Sequence, residues 1–254
     1  MDTRPVEMTY LGHSTVLLEM AGLRLLTDPI LRARVGPLVR TEAPIAPEHW
    51  QSIDAVLISH SHWDHLDHGS LRLVGTGVPL LVPTGMGARF RSRGFRQVEE
   101  LSPGDTSRLG PLHIEATEAA HRGFPRPIAP TDLAIGFLLR SAGTTVYFPG
   151  DTALFEGMTE LARGLDLALM PVWGWGPRAR SHEHLDPLGA ARALQLLRPR
   201  VAIPIHWGTL YPLAVHRLSS DFLFNPPHLF EQFALRLAPQ VGVHILQPGE
   251  TYEP

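Results

Sequence analysis

Residues 60 to 65 read His60, Ser61, His62, Trp63, Asp64 and His65, directly after the apolar run from Ala55 to Ile58. The three histidines and the aspartate carry nitrogen and oxygen donors that bind first-row metal ions. A cluster this dense is difficult to bury or to solvate without a cation to offset the repulsion between its lone pairs. The stretch therefore predicts a metal site at the end of a buried strand.

The composition excludes several kinds of chemistry. The chain has 254 residues, of which 44% are hydrophobic and 19% are charged, and these values are typical of one folded domain with a sizeable core. It contains no Cys, which excludes disulfides, thiolate nucleophiles, iron–sulfur clusters and thiolate zinc sites. It also contains no Lys, which excludes a Schiff-base lysine and a Walker A loop. Because the chain lacks Cys, we expect every metal ligand to be a nitrogen or an oxygen atom.

Charge and hydropathy predict where the protein resides. The formal net charge is −3, which argues against a general nucleic-acid binder, because such proteins neutralise phosphates with a basic surface. The segment after Met1 lacks the apolar core of a signal peptide, and no apolar run reaches the length of about 18 residues that a membrane span needs. We therefore expect a single domain over residues 1–254, soluble and cytoplasmic, with no integral membrane segment.

Short β-rich runs dominate both halves of the chain, with turn residues between them. The predicted strands are Glu7–Leu11, Thr15–Met20, Leu23–Thr27, Ala55–Ser59, Leu80–Pro83, Leu112–Thr117, Ala134–Arg140, Val146–Phe148, Leu167–Met170, Val201–Ile205 and Gly242–Leu246. A helix is predicted over Pro187–Leu197, because Asp186 can cap it, Pro187 suits its first turn and Pro199 stops it. A second amphipathic segment covers His228–Leu237.

Further metal-binding residues follow other predicted strands in the same way: His121, Asp151 and His206. Together with the first cluster they supply enough donors for two cations. Three imidazoles, with an open position for water, would form the first site: His60, His62 and His121. The second site would consist of Asp64, His65 and His206, and Asp151 would bridge the two. This set suits Zn²⁺, with Mn²⁺ or Fe²⁺ also possible.

The chain resembles the metallo-β-lactamase fold superfamily. The matching segments span most of the chain: LGHSTVLLE at 11–19, LLTDP at 25–29, HSHWDH at 60–65, PGDT at 149–152 and IHWGT at 205–209, together with His121. The resemblance implies an α/β (α+β) fold, a four-layer αββα sandwich of two similar halves with a dinuclear site at one edge. It also implies that Asp28 orients the metal-binding loop by hydrogen bonds. A turn started by Asp28 before Pro29 is the alternative, and the two roles are compatible.

The segment at 181–209 resembles one branch of that superfamily, which holds N-acyl phosphatidylethanolamine phospholipase D and the ascorbate phosphate lactonase. In that branch a similar HxDP stretch precedes a helix and the last metal histidine. The resemblance implies that His184 lies near the metals, where it would hold the substrate or donate a proton.

Several other residues have a structural and a functional interpretation. His13, in the turn-like GHST, could approach the site, although capping of a hairpin is favoured. Trp173, Trp175 and Tyr211 could line an apolar substrate pocket or pack in the core. The basic run from Arg89 to Arg96 could grip a phosphate, but a solvated helix face is favoured, and the run is assigned no function.

The favoured function is that of a dinuclear metal-dependent hydrolase, in which a metal-bridging hydroxide attacks a phosphodiester or a lactone or ester bond. Asp64 would position the nucleophile or carry its proton, and the substrate would be a small, partly apolar molecule. One alternative is an RNA-processing nuclease of the ribonuclease Z type, which shares HxHxDH. The other is a non-catalytic, metal-stabilised binding module. The oligomeric state is left open.

Overall fold

The architecture is given by a computed structural model that describes residues 6–122, 133–173, 183–212 and 221–254. Its strands are β1 (Glu7–Gly12), β2 (Thr15–Met20), β3 (Leu23–Thr27), β4 (Arg34–Val35), β5 (Leu38–Arg40), β6 (Ala55–Leu57), β7 (Leu80–Pro83), β8 (Val98–Leu101), β9 (Thr106–Leu109), β10 (Leu112–Arg122), β11 (Leu133–Ser141), β12 (Thr144–Phe148), β13 (Leu167–Pro171), β14 (Val201–Ile205), β15 (Leu210–Pro212), β16 (Gly242–Val243) and β17 (Thr251–Tyr252). Its α-helices are α1 (His68–Val74), α2 (Gly87–Arg91), α3 (Pro187–Leu197), α4 (Asp221–Phe224) and α5 (Pro226–Leu237), and two 3-10 helices cover Pro47–His49 and Glu156–Ala162.

Most strands form two large sheets of similar construction, and β15, β5 and β4 form a third, small sheet. The first sheet has the order β17-β1-β2-β3-β6-β7-β8 and the second has the order β16-β14-β13-β12-β11-β10-β9. In the first, β1 to β3 pair antiparallel and β3, β6, β7 and β8 pair parallel. In the second, β9 to β12 pair antiparallel, and β12, β13, β14 and β16 pair parallel. The predicted two similar halves are therefore present.

Alternating side chains of the first sheet place it between two apolar layers. In β6, Ala55 and Leu57 lie in the large core cluster that also contains residues of the second sheet. Val56 and Ile58, one position along, lie in a separate cluster with Leu71 of α1 and with Phe90 of α2. The first sheet is thus covered by these helices on one face and by the second sheet on the other.

Helices α3 and α5 pack against each other, and buried residues of both lie in the large core cluster that contains the second sheet. Helix α3 has the predicted bounds, and the Asp186 side chain accepts a hydrogen bond from the Gly189 N–H at 2.7 Å. Such a cap satisfies one of the N–H groups that the first helical turn leaves without a partner. With α1 and α2 on the other sheet, the order of layers is the predicted αββα.

Several elements differ from their predicted bounds. Strand β10 continues to Arg122, which places His121 within a strand. Strand β16 is limited to Gly242–Val243. Strands β8 and β9, VEEL and TSRL, were not predicted, since they lie at or next to sheet edges and their charged residues do not alternate with apolar ones. No helix in the described ranges is long and apolar enough to cross a membrane.

Candidate metal centre

The predicted donors meet at one edge of the two sheets, because parallel strands end on the same side. Asp28 follows β3, and His60 follows the neighbouring parallel strand β6. In the second sheet, Asp151 follows β12 and His206 follows β14, and β13 joins these two strands by parallel pairing. His121, near the end of β10, completes the set.

Three imidazoles form the first cluster of donor atoms. Nε2 of His60 lies 2.9 Å from Nδ1 of His62, and Nε2 of His121 lies 3.1 Å from the same Nδ1. Asp151 Oδ2 lies 3.9 Å from His60 Nε2. These four residues offer one donor atom each, all within 4.8 Å of one another. The geometry brings together the predicted first site, with the bridging aspartate at its side.

The second cluster faces the other oxygen of Asp151. Asp151 Oδ1 lies 3.1 Å from Nε2 of His206 and 3.3 Å from Nε2 of His65. The same two nitrogens lie 3.4 Å and 3.6 Å from Asp64 Oδ2. The two carboxylate oxygens of Asp151 thus face different clusters, which is the arrangement expected of a bridging ligand.

For three of the rings, a hydrogen bond on the far side fixes which nitrogen faces the cluster. His65 Nδ1 contacts Asp28 Oδ2 at 2.7 Å, His121 Nδ1 contacts the Glu183 carbonyl at 2.7 Å, and His206 Nδ1 contacts the Trp173 carbonyl at 2.6 Å. Since these partners are acceptors, each Nδ1 carries the proton and each Nε2 presents a lone pair. Outer partners of this kind are typical of metal-ligating histidines.

The donor set fits a pair of divalent cations. His65 Nε2 and His206 Nε2 lie 3.2 Å apart, and in the neutral rings neither nitrogen bears a proton when its Nδ1 donates. Neither oxygen of the buried Asp151 accepts a hydrogen bond of ordinary geometry from the described residues. Buried lone pairs this close repel one another unless a proton or a cation lies between them.

The pKa values of these groups follow from burial and from each other's charge. Burial holds the pKa of His60 well below its usual range and lowers the pKa of His62 to about 4. Burial also opposes a charge on His65, but the carboxylates of Asp151 and Asp64 outweigh it and hold the pKa of His65 well above its usual range. A proton is therefore favoured where the second cation would lie, while the first cluster stays neutral. The imidazoles of the first cluster therefore keep lone pairs that are available to a metal ion.

Asp28 holds the loop that carries the ligands. It is fully buried, and its carboxylate accepts hydrogen bonds from Ser59 N at 2.7 Å, from Ser59 Oγ at 2.5 Å and from His65 Nδ1 at 2.7 Å. Because Ser59 Oγ donates to Asp28, its lone pair can accept from His60 Nδ1, which lies 2.9 Å away. Asp28 thus orients one ring in each cluster, and its φ of 33° also places it in a turn. Both predicted roles are compatible with this geometry.

His184 lies beside the bridging carboxylate. Its Nδ1 is 3.2 Å from Asp151 Oδ2, its ring centroid is 4.8 Å from that of His121, and its side chain is 10% exposed. Burial opposes its charge, but Asp151 raises the pKa of His184 above the ordinary value. A partly accessible imidazole next to the cluster is placed to hold or donate a proton.

The sequence favours a turn role for His13, and the structure adds a contact with the second cluster. His13 lies in the turn between β1 and β2 with φ of 56°, and its buried ring reaches the second cluster, with Nε2 3.1 Å from Asp64 Oδ2. Burial and the neighbouring His206 lower the pKa of His13 to about 3. The motif GHST was the available signal, but it does not show which way a side chain in a turn points.

The predicted substrate residues are less exposed than a pocket wall requires. Trp173 and Tyr211 are 5% and 2% exposed. The Trp173 carbonyl accepts from His206, and the Tyr211 hydroxyl donates to the Gly208 carbonyl at 2.5 Å. Both residues support the loop that carries His206, and their direct contact with a substrate stays a prediction. Trp175 lies outside the described residues. In contrast, Trp63 within the ligand loop is 50% exposed.

Comparisons with known proteins agree with this geometry. The family model described as the beta-lactamase superfamily domain matches residues 23–207. A UPF0173 metal-dependent hydrolase of Deinococcus radiodurans is 34% identical over 249 residues, which cover 96% of this chain and 97% of that protein. The Opitutus terrae protein of the same name is 32% identical over 256 residues and is covered completely. An uncharacterized protein of Mycobacterium tuberculosis is 32% identical over 231 residues, but the match spans 62% of its length.

Solved structures share the fold. A metallo hydrolase from Ignicoccus hospitalis, Igni18, superposes with a TM-score of 0.73 at 26% identity, over 97% of both chains. An isothiocyanate hydrolase from Delia radicum gut bacteria gives a TM-score of 0.75 at 18% identity, over 97% of this chain and 98% of that one. The predicted fold and superfamily are confirmed, whereas the phospholipase and lactonase branch stays a prediction. The chain belongs to the beta-lactamase superfamily and, within it, to the family of UPF0173 metal-dependent hydrolases.

Proposed function

We propose that this protein is a dinuclear metal-dependent hydrolase that cleaves a phosphodiester or a lactone or ester bond of a small, partly apolar molecule. One observation carries the proposal: two clusters of buried donor atoms lie on either side of Asp151, and each of its oxygens faces one of them. Zn²⁺ is the preferred occupant, because imidazole and carboxylate suit it, and Mn²⁺ or Fe²⁺ would fit the same donors.

When bound, divalent cations would lower the pKa of a bound water toward neutrality and would stabilise negative charge on the substrate. The protein residues supply the rest. Asp64 is almost buried, and its Oδ2 lies within 3.6 Å of the ring nitrogens of His13, His65 and His206. In this position it would orient the attacking water or take its proton.

His184 would act on the leaving group. Its side chain is 10% exposed beside Asp151, and its Nδ1 lies 3.2 Å from Asp151 Oδ2, so the ring can reach a leaving group bound at the cluster. A protonated imidazole can neutralise the leaving oxygen as the bond breaks. Hydrolysis of a poor leaving group should therefore depend on His184 more than hydrolysis of a nitrophenolate, which needs no proton.

Exposed aromatic rings near the ligands favour a partly apolar substrate. Trp63 is 50% exposed and lies between the ligands His62 and Asp64. Phe224 is 39% exposed and lies beside Gly208, two residues after His206. Apolar surface around a polar centre is typical of small-molecule sites.

The nuclease alternative has less support from the described residues. Within the basic run, Arg91 pairs with Glu100 at 3.0 Å, so part of its charge is neutralised by the protein itself. The formal net charge of −3 also disfavours a long phosphate backbone. An assay on a short RNA beside the small substrates separates the two functions.

Metal analysis and hydrolysis test the proposal together. Protein reconstituted with Zn²⁺ or Mn²⁺ should bind about two ions per chain and hydrolyse bis(p-nitrophenyl) phosphate or a member of a lactone panel. His60→Ala and Asp151→Ala should each abolish this activity. Binding clearly below two ions per chain would refute the dinuclear site, and a metal-loaded protein without hydrolytic activity would favour the non-catalytic binding module.

A further inference from the structure

A histidine outside the predicted ligand set reaches the second cluster from the turn between β1 and β2. His13 Nε2 lies 3.1 Å from Asp64 Oδ2, across 51 residues of sequence, and both side chains are buried. The His13 ring also lies on the His206 ring, with centroids 3.9 Å apart. His13 therefore contacts two of the residues that surround the second cation position.

The backbone around His13 is held in place by the loop that carries His206. The His13 carbonyl accepts from His206 N at 2.7 Å, and His13 N donates to Thr209 Oγ1 at 3.1 Å. His13 itself has φ of 56°, a left-handed conformation that residues with a Cβ seldom adopt. Strained backbone persists where surrounding contacts determine it, and it is frequent at functional sites.

The residue before His13 is equally constrained. A Cβ on Gly12 would lie 2.6 Å from Thr209 Cγ2 and 2.9 Å from an Arg40 nitrogen, so only glycine fits there. Arg40 also donates to the Leu11 carbonyl. Contacts with Arg40 of β5 and with Thr209 of the loop after β14 thus hold the turn in place and fix the direction of the His13 side chain.

We propose that His13 is a positioning residue for Asp64. Its Nε2–H donates to Asp64 Oδ2 and holds that carboxylate in place for the second cation site, which Asp64 would form with His65 and His206. Without this bond, Asp64 Oδ2 loses one of its neighbouring donors, and the carboxylate is free to turn away from the two imidazoles. The inference rests on the proposed two-cation function and adds an eighth residue that the ligand pattern does not contain.

Two substitutions distinguish positioning from coordination and from a purely structural role. Asn at position 13 tolerates a left-handed φ but its amide is too short to reach Asp64. Gln places an amide N–H near the position of His Nε2, so it can donate to Asp64, yet an amide is a poor ligand for Zn²⁺. Ser14→Ala is the matched control, since it changes the next residue of the same turn without touching Asp64.

The experiment is a Zn²⁺ titration by equilibrium dialysis, with Co²⁺ absorption spectra of the loaded proteins. We expect two ions per chain in the unchanged protein and in Ser14→Ala, a second-site affinity about 10 to 100 times lower in His13→Asn, and recovery of most of that loss in His13→Gln. First-site affinity and the far-UV spectrum should not change.

Three results would overturn the inference. Unchanged second-site affinity in His13→Asn would show that the contact has no role in binding. Equal losses in His13→Asn and His13→Gln, with altered Co²⁺ spectra in both, would make His13 a ligand instead. Fewer than two ions bound by the unchanged protein would refute the two-cation function itself, and the inference with it.

Discussion

Replacement of Asp28 tests how the protein orients its candidate ligands. Asp28→Ala leaves three buried donors without their acceptor: Ser59 N, Ser59 Oγ and His65 Nδ1. A buried donor without a partner costs about 1–3 kcal/mol, and water entering the space left by the side chain keeps the cost near the lower end. The metal-free protein should therefore lose about 3–5 kcal/mol of unfolding free energy.

The same substitution should weaken metal binding. Without Asp28 the His65 ring is free to rotate, and its Nε2 no longer points at Asp151 and Asp64. Loss of such an outer partner lowers metal affinity about 10- to 100-fold. Urea unfolding of the metal-free protein measures the first effect, and competition for Zn²⁺ with a chelator measures the second.

Asp67 provides a matched control. It is also a buried carboxylate, it accepts from Ser70 N and from Ser70 Oγ, and it pairs with Arg32. It follows the ligand loop, and among the described residues its side chain bonds to Arg32, Gly69 and Ser70 and to none of the candidate ligands. Asp67→Ala should therefore destabilise the protein with unchanged Zn²⁺ affinity. If Asp28→Ala held both ions as tightly as the unchanged protein, or if Asp67→Ala lost affinity equally, the orienting role of Asp28 would be refuted.

Three other predictions test the fold around the site. Gly12→Ala (φ +107°) creates contacts of 2.6 Å and 2.9 Å with Thr209 and Arg40, whereas Gly143→Ala (φ +88°) meets open space. In urea, Gly12→Ala should cost about 1–3 kcal/mol more than Gly143→Ala, and equal losses would contradict the clash. Asp186→Ala should cost about 1 kcal/mol and Asp186→Asn almost nothing, because both Asp and Asn cap helices; a similar loss in both would argue against the cap. Burial, with Arg89 nearby, lowers the pKa of His68 to about 4, below its ordinary 6.5, so the unfolded chain takes up the proton first. The contribution of the neutral His68 ring to the free energy of unfolding is therefore complete above pH 6.5 and falls as the pH drops toward 4. Urea midpoints measured at several pH values should decline less at low pH in His68→Leu than in the unchanged protein.

The order of secondary structure was largely readable from the sequence. Strands with clear apolar patterns, such as β2 and β14, have their predicted bounds, and the cap and the prolines around α3 marked both of its ends. Strands β8 and β9 were missed, because an edge strand with charged residues is stabilised by its neighbour more than by its own pattern.

The candidate ligands were also readable, since few residue types bind metals and each of the seven follows a strand or lies near the end of one. The partners that orient them were not. His206 is held by the Trp173 carbonyl and His121 by the Glu183 carbonyl, and every residue has a carbonyl, so these contacts leave no mark in the sequence. His13 illustrates the same limit, because a turn motif does not reveal what its side chain meets.

The sequence by itself determined the chemistry: only imidazole and carboxylate can serve as strong metal ligands here, because the chain has no Cys, and the HSHWDH stretch places four of them in six positions. Only the tertiary structure decided their arrangement. It sets the two oxygens of Asp151 toward two clusters, turns the Nε2 atoms of His65, His121 and His206 inward by binding the opposite nitrogen, and brings His13 to Asp64. These are contacts between chain segments far apart in sequence, and their distances are fixed by the packing of two sheets against each other.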